Sequence, residues 1–295
     1  MSNPAAWHAA HRKLYEHLKN STVERPQPKL EDLLPLYQAV AHGCQAGLQK
    51  DALSTVYERR IQRGDAHFSW RWLGAYGTEL GLFAHFFETR WKQIVPSLDE
   101  QGQAWLLIET SFCLRSLGRS EEALEALRLS LSKFVNLKLW DDTVNAAYSL
   151  AELELTLGYI STAIPTAQEC LEFAALSNST LSPFLPLSSR SILANALHRA
   201  GRIDEAVSGF LSAEEAQIKM VPSVPFLMPP QGFLYCDLLL HPVERRAWAR
   251  NPRFPPVVET YPRSVYLLNA AKTFRSAPRR IFRCWNHKAP WLSLG

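Results

Sequence analysis

One spacing constrains this chain more than any other feature, because it occurs four times: a glycine, then an alanine five residues later. The four glycines are Gly47, Gly118, Gly158 and Gly201. A small or short side chain stands seven residues before each of them. Glycine readily adopts the left-handed conformation that ends many helices, and small side chains let two helices approach closely where they cross. The spacing therefore predicts antiparallel helical hairpins that repeat along the chain.

The composition supports a helical protein with a sizeable core. Hydrophobic residues make up 47% of the 295 residues, and only 13 residues are glycine. Abundant apolar residues with little glycine favour packed helices over a disordered chain or an all-β fold. We therefore expect an all-α fold class, a right-handed helical-repeat solenoid with an irregular C-terminal tail.

The pattern divides the chain into regions. They are an N-terminal helix and linker at 1–30, the repeats at 31–218, the start of an incomplete repeat at 219–240, and a basic tail rich in proline and arginine at 241–295. The interval between Gly47 and Gly118 leaves room for one further hairpin, although the segment 72–95 lacks the glycine spacing. We expect that hairpin to be degenerate, with a first helix from about Trp70 to Phe87.

The cysteines and the hydropathy of the sequence indicate the cellular compartment of the protein. The five cysteines are an odd number, widely scattered and never paired as Cys-x-x-Cys. That spacing is typical of reduced, buried thiols. No stretch reaches the roughly 18 apolar residues that a membrane span needs, and the first residues lack a basic segment leading into an apolar one. The sequence therefore predicts a cytoplasmic protein without a membrane span.

Two copies of the turn carry a family resemblance. They are Leu-Gly-Arg-Ser-Glu-Glu-Ala at residues 117–123 and Ala-Gly-Arg-Ile-Asp-Glu-Ala at residues 200–206. They resemble the tetratricopeptide repeat (TPR) family over residues 33–218, with a period near 40 rather than the usual ~34. The longer period is similar to that of the C-terminal repeat region of bacterial NACHT- or STAND-type signalling proteins. The resemblance implies the sensor or scaffold part of such a protein, because the phosphate-binding loop of a switch module does not occur in this sequence.

The resemblance also implies where a partner binds: along a groove lined by the first helix of each hairpin. Counting back from the glycines gives the candidate residues Trp105, Phe112, Arg115, Asn145, Tyr148, Glu152, Asn195, His198 and Arg199. Their aromatic, amide and basic groups could hold a peptide or protein through pockets and hydrogen bonds. The alternative is that some of them face solvent or a neighbouring repeat and bind nothing.

The motifs of catalysis and metal binding are weak in this sequence. His42 and Cys44 are two residues apart and so point to different faces of a helix, which disfavours a catalytic Cys–His pair. Cys284 and His287 have a zinc-like spacing but lack a second ligand pair. No serine-nucleophile elbow and no zinc-binding His-Glu-x-x-His helix occurs. The sequence predicts no catalytic residue, no metal ligand and no cofactor, and therefore not an enzyme.

The tail gives the alternative function. Residues 241–295 contain nine arginines and two lysines against two glutamates, interleaved with aromatic side chains. Arginine neutralises phosphates and aromatic rings stack on bases, so binding of nucleic acid through this tail is the second hypothesis. A change of reading frame after Leu240 would also account for the tail, as would an adventitious or membrane-surface basic segment.

Overall fold

A computed structural model of the protein describes residues 4–177, 184–224 and 226–250, with side chains as far as His241. The chain forms two compact units, Met1–Lys138 and Leu139–Gly295. The described part consists of helices and one two-stranded ribbon, which confirms the all-α fold class expected from the repeats. The irregular tail was predicted for residues 241–295; residues 241–250 are instead helical, and residues 251–295 lie outside the described part of the chain.

The first unit runs from an N-terminal helix to the hairpin that turns at Gly118. Its helices are α1 (Pro4–Ser21), α2 (Leu30–Gln45), α3 (Gln49–Asp51), α4 (Phe68–Arg71), α5 (Tyr76–Phe83), α6 (Glu100–Ser116) and α7 (Ser120–Leu137). A π-helix, Ala52–Gln62, continues α3, and 3-10 turns occupy Gly64–Ala66 and Ala84–Phe86. α6 and α7 pack against each other as a hairpin.

The second unit contains two hairpins and a further helix. Its helices are α8 (Trp140–Thr156), α9 (Ile160–Leu176), α10 (Leu185–Arg199), α11 (Ile203–Met220) and α12 (Pro229–Arg250). α8 pairs with α9 and α10 with α11, while α10 also packs on α8 and α9. α12 in turn packs on α10 and α11, where the first helix of another hairpin would lie.

The four glycines end helices as the spacing predicts. Gly47, Gly118, Gly158 and Gly201 all have φ between +74° and +80°. The N–H of the residue after each glycine donates to the carbonyl five residues before it, at 2.8–2.9 Å. This arrangement satisfies carbonyl groups that the helix end leaves open. A turn of this kind reverses the chain with only three residues between helices.

The helices approach closely at the small residues. The alanines five residues after the glycines are all fully buried. At the crossing of α10 and α11, a Cβ placed on Gly209 would lie 2.9 Å from the Cβ of Ala194. At the crossing of α2 and the π-helix, a Cβ on Gly43 would lie 2.8 Å from that of Ala52. Larger side chains at these positions would force the two helices of a hairpin apart.

The glycine-to-alanine substitution is expected to have opposite effects on stability in a glycine turn and inside a helix. We expect Gly118→Ala to lower the free energy of unfolding by about 1–2 kcal/mol, because a Cβ is strained at positive φ. The added Cβ meets nothing within 4 Å there, so the strain acts without a clash. Gly81→Ala, inside α5 and equally uncrowded, should instead raise that free energy by about 0.5–1 kcal/mol. Urea denaturation of the two variants measures both changes, and a loss at Gly81 equal to that at Gly118 would contradict the assignment.

Polar contacts, some of them around one buried ring, join the N-terminal helix and linker to the rest of the first unit. The Tyr15 ring is fully buried, and its hydroxyl donates to Asp51 Oδ2 at 2.5 Å. Arg60 of the π-helix donates to the carbonyls of Lys19 and Thr22 at 2.6 and 2.7 Å. These carbonyls belong to the open end of α1, which a guanidinium can satisfy.

The segment between the first two glycine turns differs from the helix that we expected there. In place of one helix from Trp70 to Phe87, it forms α4, α5 and an antiparallel ribbon of β1 (Phe87–Thr89) and β2 (Gln93–Ile94). Gly74, at φ +62°, lies just after α4 and redirects the chain. Trp91 has φ +63° in the turn of the ribbon and packs edge-on against Phe87 at 5.3 Å between ring centroids. Ring packing therefore holds this segment in a conformation that its helical periodicity does not predict.

The last helix extends beyond the predicted boundary at Leu240. The backbone of α12 stays helical through Pro242 to Arg250. A proline removes one backbone donor, and a long helix can tolerate the loss of one hydrogen bond. Along the described residues, no helix is both long and apolar enough to cross a membrane.

Candidate functional site

The candidate residues lie on the first helices of the hairpins, as predicted from the glycine spacing. Three lie on α6 in the first unit, three on α8 and three on α10 in the second unit. The structure separates the nine residues into buried side chains and side chains that keep exposed surface.

In the first unit, Phe112 belongs to an aromatic core. Its ring lies 4.5 Å from that of Trp70 and 5.8 Å from that of Tyr76. Trp105 is half-buried, with its ring 6.1 Å from that of Tyr57. Arg115 is also half-buried, in the last turn of α6. Trp105 and Arg115 therefore keep surface that a partner could contact, and Phe112 does not.

On α8 of the second unit, Tyr148 is buried while Asn145 and Glu152 are half-buried. Asn145 and Glu152 are seven residues apart, which places them on one face of the helix, two turns from each other. They offer an amide and a carboxylate to the surface of α8.

On α10, the expected binding face is largely covered by α12. Asn195 and His198 are buried, and His198 Nδ1 lies 3.9 Å from Asp237 Oδ2 on α12. Arg199 Nη2 lies 3.3 Å from the same carboxylate oxygen. Gln231 of α12 donates to Ser188 Oγ at 3.2 Å. Of the three α10 candidates, only Arg199 keeps a large exposed fraction.

For four of the nine candidates, the structure matches the alternative that the side chain faces a neighbouring helix. Phe112, Tyr148, Asn195 and His198 have almost no surface of their own. The physical reason is that the inner face of a first helix also packs against neighbouring helices. Counting back from a glycine does not distinguish residues that pack in this way from residues that stay open to a partner. A partner could contact these side chains only if the helices moved apart.

Asp237 is a residue that the sequence reasoning missed. It is partly exposed and pairs with Arg199 across α10 and α12. Its signal was present, because it is the single charged residue in the apolar segment 233–240. A charge in an apolar helix start indicates either a surface position or a pairing with a basic residue on the next helix.

The first unit also buries two carboxyl groups that no motif singled out. Glu79 on α5 and Glu109 on α6 are both 0% exposed. Tyr37 Oη donates to Glu79 Oε1 at 2.7 Å, and Tyr57 Oη donates to the other oxygen of Glu79. Among the described residues, both oxygens of Glu109 lack a hydrogen bond of good geometry. Burial and the neighbouring Glu79 raise the pKa of Glu109 to about 8, so this carboxyl is protonated at neutral pH.

These buried groups do not form an accessible catalytic centre. Acid–base catalysis needs a carboxyl that a substrate can reach, and neither Glu79 nor Glu109 reaches the surface. Burial raises the pKa of the Cys44 and Cys170 thiols to about 12, which leaves them uncharged and unreactive at neutral pH. Over the described ranges, no group of three or more His, Cys, Asp or Glu could hold a metal ion. Cys284 and His287 lie outside those ranges.

No protein-family model matches the chain, and no curated protein matches it. Two solved structures from Podosopora anserina are similar to it, both described as "kinesin light chain nearly identical TPR-like repeats". One of them, a variant with a single substitution, has a TM-score of 0.46 at 16% identity, and covers 75% of this chain and 98% of its own. The other has a TM-score of 0.45 at 16% identity, and covers 75% and 99%. These scores are too low to support an argument about function, and the all-α assignment rests on the helices and glycine turns of the chain itself.

Proposed function

We propose that this protein is a non-catalytic scaffold or sensor module that binds a peptide or protein on the exposed parts of its first helices. The observation that carries the proposal is the Arg199–Asp237 ion pair. Its nitrogen and oxygen are 3.3 Å apart, and the two side chains are 54% and 46% exposed. A pair with this much exposure contributes at most about 1 kcal/mol to stability. Each of the two groups can therefore leave the other and pair with a charged group of a partner at a low cost in free energy.

The chemistry of these residues fits recognition of an acidic or amide-rich partner segment. The planar guanidinium of Arg199 can bind a carboxylate through two parallel hydrogen bonds. Asn145 and Glu152 on α8 offer an amide and a carboxylate that can pair with the backbone of an extended peptide. In the first unit, Trp105 and Arg115 are residue types that dominate the energetics of many interfaces.

The finer role is supported by the repeat spacing alone. A period near 40 residues resembles that of the repeat regions of bacterial NACHT- and STAND-type signalling proteins. On that resemblance we propose that the repeats act as a cytoplasmic sensor for a signalling partner. The sensor would then act through steric and electrostatic complementarity to its partner rather than through a chemical reaction.

A double charge reversal tests the proposal. We expect Arg115→Glu combined with Arg199→Glu to abolish capture of the partner, because arginine hot spots contribute about 2 kcal/mol or more each and every 1.4 kcal/mol is about tenfold in affinity. The measurement is affinity capture by the tagged full chain, with bound proteins identified by mass spectrometry. Circular dichroism should show unchanged helicity.

The matched control is Arg128→Glu combined with Lys219→Glu. Both residues are exposed on second helices, α7 and α11, and the net charge changes by the same amount. This control should retain the partner. Retention of the partner by both double variants, or an equal loss in both, would contradict the proposal, since neither result would depend on the first-helix surface.

A further inference from the structure

Two histidines that are far apart in the sequence meet where α1 packs on α2. His11 lies on α1 and His42 in the last turn of α2. Their Nδ1 atoms are 2.9 Å apart, and their ring centroids are 5.0 Å apart with planes tilted by 48°. Both residues are half-buried, so solvent reaches the pair from one side. Trp7 packs on the His11 ring at 4.3 Å between centroids and shields another side.

The contact constrains the protonation of the two rings. A direct Nδ1 to Nδ1 hydrogen bond needs one nitrogen with a proton and one with a free lone pair. The accepting ring therefore already offers a free nitrogen lone pair, the group through which an imidazole binds a metal ion.

The distance also matches that of two adjacent metal ligands. Imidazole nitrogens bind metals such as Zn²⁺ at about 2.0–2.1 Å. Two such nitrogens on one ion are about 2.9 Å apart at a right angle and about 3.3 Å apart at the tetrahedral angle. The observed 2.9 Å is the length of the hydrogen bond between the two rings, in which each Nδ1 points at the other. To bind one ion, both rings would turn until their lone pairs converge on it.

We propose that His11 and His42 bind one transition-metal ion of the Ni²⁺, Cu²⁺ or Zn²⁺ class through their Nδ1 atoms. The Nδ1 proton of the donor ring moves through solvent to its own Nε2, so both rings stay neutral. Water fills the remaining coordination positions. Cys44 is buried and takes no part. This site is independent of the proposed partner-binding surface.

A bound ion would join α1 to α2 more firmly than the present hydrogen bond. The site has only two protein ligands in place, so its affinity should be modest, in the range of open two-histidine sites. Sequence reasoning predicted no metal ligand because His11 and His42 are separated by 31 positions. Only the packing of α1 brings them together.

The test is a titration of the metal-free full chain with NiCl₂, followed by isothermal calorimetry. We expect one binding event that weakens by at least about tenfold in His11→Ala and in His42→Gln, since each variant removes one of two ligands. The matched controls are His8→Ala and His17→Ala, on exposed positions of the same helix. They should bind Ni²⁺ like the unchanged chain.

Thermal unfolding gives a second readout. Ni²⁺ should raise the melting temperature of the unchanged chain and of both controls, and should not raise that of His11→Ala. His11 is half-buried on a surface helix, so its replacement is compatible with folding even if His42→Gln is not. Unchanged Ni²⁺ affinity in His11→Ala, or an equal loss in His8→Ala, would overturn the proposal in favour of adventitious binding by surface histidines.

Discussion

Glu109→Gln is expected to flatten the pH dependence of the stability of the first unit. The folded-state pKa of Glu109 is raised from 4.5 to about 8, because burial and Glu79 both disfavour its charged form. The folded state therefore holds a proton that the unfolded state releases within this window, and stability falls as the pH rises from about 4.5 to about 8. Each pKa unit corresponds to about 1.4 kcal/mol, so the loss attributable to Glu109 is at most about 5 kcal/mol.

Several groups face Glu109 and must be held constant in this experiment. They are Glu79 on α5, Glu58 and Tyr57 on the π-helix, Cys113 on α6 and Trp70 on α4. Burial raises the pKa of Glu79 and Glu58 as well, so they add a slope of the same sign. Glu109→Gln keeps the shape of the side chain and removes only its ionisation.

The measurement is urea denaturation at about pH 5 and about pH 9, where the Glu109 carboxyl is fully protonated and mostly ionised in the folded protein. The unchanged chain should be less stable at the higher pH, and Glu109→Gln should lose much of that difference. Glu172→Gln, an exposed position on α9, is the matched control and should behave like the unchanged chain. A Glu109→Gln variant with the full slope would show that another group is responsible.

Phe210→Ala is expected to lower the free energy of unfolding of the second unit by about 3–5 kcal/mol. Phe210 on α11 is fully buried, and its ring stacks on that of Tyr235 on α12 at 5.0 Å between centroids. The two rings join α12 to the preceding hairpin, within a cluster that also contains Leu227 and Leu238. Removing the ring leaves a cavity and removes a stacking contact between these helices.

Hydrogen exchange locates the effect. Phe210→Ala should lose protection of the backbone amides of residues 229–241 before those of α8, because α12 depends on this contact for its packing. Phe233→Ala is the matched control: Phe233 is 69% exposed on α12, and its loss should change stability by no more than about 0.5 kcal/mol. Equal losses in the two variants would mean that α12 does not pack through Phe210.

Much of the fold could be predicted from the sequence because its turns are local. The glycine at positive φ and the alanine at the helix crossing are required by the geometry of the turn itself, which involves only a few neighbouring residues. Their spacing therefore predicts the hairpins of Gly118, Gly158 and Gly201. The segment 72–95 could not be predicted in the same way. Its short helices and ribbon make contacts such as Tyr76 with Phe112, which are distant in sequence.

The candidate surface could be predicted in part. The glycine spacing gives the helices and, through the helical period, their inner faces, and Arg115 and Arg199 do keep exposed surface there. The same spacing cannot show that α12 packs over α10 beside His198. The sequence predicts the start of another repeat at 219–240, but it does not show which side chains of α10 that segment covers.

The sequence by itself determined the helical class, the positions of the turns and the helix faces that pack, because backbone preference and periodicity act over a few residues. The tertiary structure decided which of those faces stay open, and which distant groups meet. His11 with His42, Glu79 with Glu109 and Arg199 with Asp237 are brought together by helix packing, whose geometry depends on the fit of many side chains at once. For that reason the hairpins of this protein can be predicted from its sequence, whereas its surface chemistry follows only from its structure.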